Sequence, residues 1–353
     1  MYIFWTVALS TATILYLRHH IQVLSDVVRT YSTFYPYLDT HPDVLYRYSD
    51  DEATTNVSTT AVDETILVPR TIHQIHLMEG RASVLEKYAP AIQSCQQTHV
   101  GWNYTIWTDE TSTEFMRTYY PTIFPHYSNY KQTIQRANVL RYALLDHFGG
   151  VYIDLDVTCR RSLEPLRTIP WLTPAAHPAG VNNAFILSRQ GHPFLKSLLA
   201  ALPERDLSWG LPYIENMLST GCMYFSNMWM SYVRTNPVDR LHILADLQGN
   251  INVHMLRGIV TTPLFKHGGA SSWHGWDAAA IVLIGKYYSI ILQGLLVMSI
   301  LSVWLLWRVL GQRNKRRRSS WGSMMRKAVS PTEVQHPNWM SVSKELEGIP
   351  ARV

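Results

Sequence analysis

Residues 135–160 read QRANVLRYALLDHFGGVYIDLDVTCR, and the change of period inside this stretch decides the fold class. Thr133 to His147 carries Leu140, Ala143, Leu144 and His147 at helical spacing, which predicts a helix that buries one stripe. Gly149 or Gly150 is expected to end it, because glycine takes the left-handed conformation of a helix stop without a Cβ penalty. Val151 to Leu155 then reads as an apolar strand that delivers Asp154 and Asp156 to its carboxyl end. Two carboxylates at i and i+2 leave one face of an extended chain. The pair is therefore expected to approach one hard divalent cation of the kind that also binds phosphates.

Outward from this stretch the same alternation continues. Ile66 to His76 and Trp102 to Trp107 read as strands, and Arg81 to Gln97 reads as a helix between them. Thr108 or Asp109 can cap the next helix, with Glu110 and Glu114 in its first turns. After the central strand the chain turns at Glu164-Pro165, and Asn183 to Ser188 reads as a short strand. His192-Pro193 opens a helix through Leu202, Leu211 to Val233 reads as another, and Ile251 to Met255 as a late strand. Strands alternating with helices predict an α/β domain with helices on both faces of a sheet.

The ends of the chain read differently. Tyr287 to Trp307 has no charged residue, against the ~20 apolar residues that cross a bilayer, and Tyr and Trp stand at its ends. Eight basic residues follow between Arg308 and Lys327 with no acidic one among them. The formal charge of +5 therefore belongs to a tail, and the rest of the chain carries −3, which gives no support to a nucleic-acid partner. The same asymmetry places the tail in the cytosol and the preceding residues in the lumen. Met1 to Leu17 is apolar and reads as a signal anchor, although Arg18, His19 and His20 behind it favour the opposite orientation. The expected organisation is an anchor over 1–20, a luminal stem over 21–64 and a catalytic domain over 65–280. A membrane helix over 285–309 and a basic, disordered cytosolic tail over 310–353 complete it. Ser25 to Glu64, rich in Tyr, Thr, Asp and Pro, shows no sustained period, hence the stem. Sequons begin at Asn56 and Asn103. Cys95, Cys159 and Cys222 are too sparse for a disulfide framework or a zinc site; one bridge is possible, between any two of them.

These motifs carry a resemblance. The run IQRANVLRYALLDHFGGVYIDLD is similar to the R-A-D-x-x-R-Y-x-x-L-x-x-x-G-G-x-Y-x-D-x-D signature of DXD-containing mannosyltransferases of fungi, and VPRTIHQIH, WNYTIWTD, NAFILSRQGHPF, LSTG and GGASSWH extend the match in order. The resemblance is strongest to the catalytic subunits that mannosylate inositol phosphorylceramide. It implies a GT-A-like (Rossmann-like) fold with a mixed central sheet between membrane helices. The implied activity is retaining transfer of mannose from GDP-mannose to inositol phosphorylceramide, with Mn²⁺ or Mg²⁺, in the Golgi membrane beside a separate regulatory membrane subunit. By the same resemblance Arg141, Tyr152 and Asp154 contact the donor, Asp156 is the direct metal ligand, and Asp154 bonds the ribose and shares the metal. His267, Ser272, Trp273 and His274 form a second polar cluster in a Gly-rich loop placed to close over the diphosphate, with Ser272 and Trp273 on the donor and His274 on the metal or a phosphate. Asn182 and Asn183 are candidates for sugar or acceptor contact, and Thr220-Gly221 for a tight turn near the acceptor.

Three positions depart from the pattern. Asn138 stands where the family has Asp, losing a charge, although its amide can still meet a sugar hydroxyl one helical turn before Arg141. His76 replaces a Trp, removing a stacking surface, and Cys222 replaces a Pro. They motivate the alternative of an inactive, transferase-like regulatory or scaffold subunit. A glycoprotein mannosyltransferase is the neighbouring alternative. VYIDLDVT also fits the nucleophile strand of haloacid-dehalogenase phosphatases, but the lysine and acidic pair those enzymes need downstream are missing. No second catalytic carboxylate pair stands out, so a front-face route assisted by the leaving phosphate is expected rather than double displacement.

Overall fold

The computed structural model of the protein describes residues 2–49, 66–77, 82–269 and 275–328. The chain forms two compact units, Met1–Ala279 and Ala280–Val353. In the first, seven strands form a mixed sheet: β1 (Leu45–Arg47), β2 (Thr71–Ile75), β3 (Asn103–Trp107), β4 (Gly150–Ile153), β6 (Trp171–Thr173), β7 (Phe185–Ser188) and β8 (His242–Ala245), in the order β1-β8-β6-β7-β4-β2-β3. All neighbours are parallel except β7, which runs antiparallel to both β4 and β6. A small antiparallel sheet joins β5 (Val157–Cys159), β10 (Phe265–His267) and β9 (Val260–Thr261).

The helices are α1 (Tyr2–Thr40), α2 (Ala82–Thr98), α3 (Asp109–Tyr119), α4 (Phe124–Asn129), α5 (Thr133–Phe148), α6 (Pro193–Arg205), α7 (Pro212–Ser219), α8 (Cys222–Thr235) and α9 (Trp276–Ala328). Thr108 caps α3 through a reciprocal capping box with Thr111, and His192 caps α6 by accepting from Phe194 N. The expected helix over Leu211 to Val233 is two, α7 and α8, broken at Thr220-Gly221. Ile251–His254 is a turn of 3₁₀ helix, not a strand.

Helix α5 organises the core, but not as an amphipathic helix. Gln135 and every residue from Asn138 to Leu145 are buried, because α3, α4, α6 and α7 cover the sides that the sheet does not. A helix enclosed on all sides has no solvent face to impose a period. Gly149 ends α5 at φ 65°, and Gly150 opens β4 at φ 96°. A Cβ on Gly150 would lie 2.5 Å from Thr71 O, so the pair both reverses the chain and lets β4 close on β2.

The reading of Ser25 to Glu64 as a stem fails for its first half. Helix α1 continues to Thr40, seats Val23, Thr30, Phe34 and Leu38 in the domain, and hands the chain to β1 at the edge of the sheet. Thr30 donates to Asn227 Oδ1 at 2.7 Å, and Asp26 pairs with Arg205 at 2.7 Å. Two apolar stripes on one helix hide each other's period in the sequence. Among the described residues one stretch is long and apolar enough to cross a membrane, Lys286–Gly311 of α9. Cys95 of α2 and Cys159 of β5 form the disulfide, and Cys222 is free. The Asn103 side of the second sequon is exposed on the edge strand β3, and Asn56 lies outside the described residues.

Candidate active site

The D-x-D pair does not share a strand face. Strand β4 ends at Ile153, and the chain turns so that Val157 N donates to Asp154 O at 3.1 Å. The turn sends the two carboxylates to different partners at the carboxyl end of β4, where ligands collect in α/β sheets.

Asp154 is held from α5 and β4. Tyr152 O–H donates to Asp154 Oδ1 at 2.6 Å, and Arg141 Nη1 donates to the same oxygen at 3.2 Å. Oδ2 takes neither bond and is the oxygen left to meet a ligand. Arg141 is 3% exposed, donates again to Asn183 O at 2.7 Å, and lies 4.4 Å over the Tyr152 ring. Burial raises the Asp154 carboxyl, opposed by Arg141 and reinforced by Asp156. Burial also holds Tyr152 well above its ordinary value, so it stays a neutral donor. Gln74, fully buried on β2, fixes the Asp154 backbone by donating to its carbonyl at 3.3 Å, and itself accepts from Tyr104 O–H.

Asp156 faces the small sheet. His267 stands opposite Val157 in the β5–β10 register, which brings its Nε2 to 3.5 Å from Asp156 Oδ2. Its Nδ1 donates to Gly258 O at 2.7 Å. Gly268 N donates to Asp156 O at 2.8 Å, and a Cβ on Gly268 would come within 3.0 Å of that oxygen. His267 was readable as one polar residue of the loop cluster; its partnership with Asp156 needs the strand register, which no local signal carries.

The donor set fits a hard divalent cation. A carboxylate oxygen and an imidazole nitrogen lie close together, and the imidazole is oriented through its other nitrogen by a backbone carbonyl, as metal-ligating histidines are. Among the described residues no three His, Cys, Asp or Glu side chains converge, so a cation there would need further ligands from phosphate, water or residues outside the described ones. Ser272, Trp273 and His274 lie outside the described residues.

Asn138 is not at the surface of this site. It is 3% exposed, and its amide donates to Asn216 Oδ1 at 2.8 Å and Thr220 Oγ1 at 3.3 Å while its oxygen accepts from Asn183 Nδ2 at 3.3 Å. Asn183 also donates to Tyr142 O–H, whose own proton goes to Thr220 O at 2.9 Å. This buried network fixes the carbonyl that holds Arg141. Asn182 likewise spends its amide on the backbone, donating to Leu256 O at 3.1 Å and accepting from Ala184 N at 2.7 Å. Thr220-Gly221 forms the break between α7 and α8. Cys222 is the first residue of α8, where proline is favoured because its missing N–H costs no helical bond. Its thiol, pushed up to about 11 chiefly by burial, donates to Val181 O at 3.2 Å. His76 is buried, its Nε2 has no hydrogen-bond partner among the described residues, and burial lowers its pKa against the pull of Asp109.

Residues 86–171 match the family model described as a glycosyltransferase sugar-binding region containing DXD motif. The chain is 32% identical to inositol phosphoceramide mannosyltransferase 2 of Schizosaccharomyces pombe over 257 residues, 71% of each chain. It is 39% identical to mannosyl phosphorylinositol ceramide synthase SUR1 of Saccharomyces cerevisiae over 168 residues, 48% of this chain and 43% of that one. It is also 31% identical to inositol phosphoceramide mannosyltransferase 3 of S. pombe over 228 residues, 65% and 62% of the two chains. The matches to these last two span roughly half of the relatives' own length.

Proposed function

We propose that this chain, which belongs to the DXD-containing family of inositol phosphoceramide mannosyltransferases, transfers mannose from GDP-mannose to inositol phosphorylceramide with retention of configuration. The observation that carries the reading is the pair of arrangements at the end of β4: Arg141–Tyr152–Asp154 on one side of a turn and Asp156–His267 on the other. The relatives' names supply the sugar and the lipid acceptor, and the GT-A-like assignment rests on the mixed sheet with its D-x-D turn.

In this reading Asp154 Oδ2 accepts from a ribose or sugar hydroxyl of the donor, while Arg141 and Tyr152 keep the carboxylate in one orientation. Asp156 and His267 hold Mn²⁺ or Mg²⁺, with His274 as a further ligand. The bound ion supplies Lewis-acid neutralisation of the diphosphate. Asn138 is reassigned from sugar contact to positioning: through Asn183 it fixes the carbonyl that Arg141 binds. The acceptor hydroxyl attacks from the face that the phosphate leaves, and its proton passes to that phosphate, so mannose keeps its configuration. Lys286–Gly311 anchors the chain in the Golgi membrane, with the domain in the lumen, the basic tail in the cytosol, and a regulatory membrane subunit as partner.

Microsomes from cells expressing the chain, given labelled GDP-mannose and inositol phosphorylceramide, test this. Metal-dependent transfer that disappears in Asp156→Ala, with membrane expression unchanged, is expected. No transfer beside an active homologue would instead favour the scaffold reading, and retained transfer in Asp156→Ala would remove the metal site.

A further inference from the structure

Helix α1 carries a second apolar face that the domain leaves largely open, touching it at its C-terminal end where Tyr35 bonds Pro178. Ile14, Leu17, Ile21, Leu24, Val28, Tyr31 and Tyr35 alternate steps of three and four without a break, and each is between 37% and 67% exposed. The face turned to the domain, through Val23, Thr30 and Phe34, lies about 130° around the helix from this one. An unbroken 3-4 alternation over three heptads is the signature of a seam that receives one other helix.

We propose that this seam pairs with the same seam of a second copy of the chain, in a parallel, two-stranded coiled coil. The residue types select that occupant. With Ile14, Ile21 and Val28 at a and Leu17 and Leu24 at d, the seam up to Val28 has the β-branched-a, Leu-d pattern that favours the parallel dimer over higher orders, and Tyr31 at d and Tyr35 at a complete it. The seam is too narrow for a bilayer surface, which takes a broad apolar face opposite a strongly basic one. Here Arg18, Gln22, Ser25, Arg29 and Ser32 border it on one side and the domain on the other. The area suffices: burying most of the exposed surface of seven side chains on both copies removes on the order of 1,000 Å², the threshold for a specific interface. The helix is also already built. Packing on the domain, and the bond from Tyr35 O–H to Pro178 O at 2.9 Å, hold it before any partner arrives, so pairing does not have to order it. A parallel pair about a two-fold axis sets the two domains side by side, their α1 helices starting from the same end.

The test uses the full chain in lipid nanodiscs and reads association, not mannose transfer, so it stands or falls apart from the transferase reading. Leu24→Cys, on the seam, should form an oxidant-induced dimer, and Arg29→Cys, beside it, should crosslink at least about tenfold less. The unsubstituted chain, whose free Cys222 is half-buried, is the background control. Mass photometry should find a dimer for the parent and a monomer for Leu24→Glu/Val28→Glu. Far-UV circular dichroism and the intact Cys95–Cys159 bridge report that this variant is folded. Equal crosslinking at both positions, or a monomeric parent with an uncrosslinked Leu24→Cys, overturns the proposal. So does a Leu24→Cys thiol shielded by lipid from a water-soluble maleimide in the monomer, which would assign the face to the bilayer.

Discussion

His73 makes the domain's stability depend on pH in a way that can be worked from its two hydrogen bonds. It sits on β2, between β4 and the edge strand β3, and is 2% exposed. Its Nε2 donates to Gly149 O at 3.1 Å, and its Nδ1 accepts from Trp107 Nε1 at 3.2 Å. The neutral imidazole satisfies both partners, whereas a second proton on Nδ1 would face the Trp107 N–H and leave an unpaired buried cation. Burial accordingly lowers the pKa from 6.5 to about 4, against a small upward pull from the Gly149 carbonyl. The sign follows from proton binding. Below pH 6.5 the unfolded chain takes up the proton and the folded chain does not, so stability is complete above 6.5 and falls as the pH drops toward 4. At pH 4.5 the loss is about 2.5 kcal/mol, and it approaches about 3.4 kcal/mol below pH 4. His73→Gln keeps one donor and one acceptor in place but cannot titrate. Urea unfolding of the full chain in detergent, followed by tryptophan fluorescence at pH 7.5 and 4.5, should show the gap between variant and parent move by that amount in favour of the variant. A gap that stays constant between the two pH values would refute the reasoning.

Other perturbations probe the site and its supports. Arg141→Lys keeps the charge but cannot serve Asp154, Asn183 O and the Tyr152 face together, and should lower mannosyl transfer roughly 30-fold, about 2 kcal/mol, in a folded protein. Unchanged kinetics would show that the guanidinium geometry is not used. Asn138→Ala leaves Asn216 Oδ1 and the Asn183 amide short of partners and should cost about 1–3 kcal/mol of stability in the same urea assay. A smaller loss would mean the network re-forms without it. Cys95→Ala/Cys159→Ala opens a 64-residue separation and should lose about 2–5 kcal/mol, read as a lower thermal midpoint. A midpoint equal to the parent's would show that the bridge does not stabilise the fold.

The sequence by itself determined the elements β2, α2, β3, α3, α5, β4, β7 and α6 in their order, the Gly-Gly reversal, the position of the D-x-D after β4 and the apolar span of α9, because each depends on neighbours along the chain. It also located Arg141, Tyr152, Asp154 and Asp156 as a set. Only the tertiary structure decided what these residues face. The turn at Asp154–Val157 gives the two carboxylates different hydrogen-bonding partners while leaving them close enough for Asp156 to raise Asp154, and His267 reaches Asp156 through a strand pairing across more than a hundred residues. Asn138 looks free to meet a sugar because sequence shows a polar side chain without its partners; those partners, Asn183, Asn216 and Thr220, come from a strand-flanking loop, the middle of α7 and its C-cap. Helix α1 was misread for the same reason: its two apolar stripes cannot be separated by periodicity, and burial in the domain is what tells one from the other.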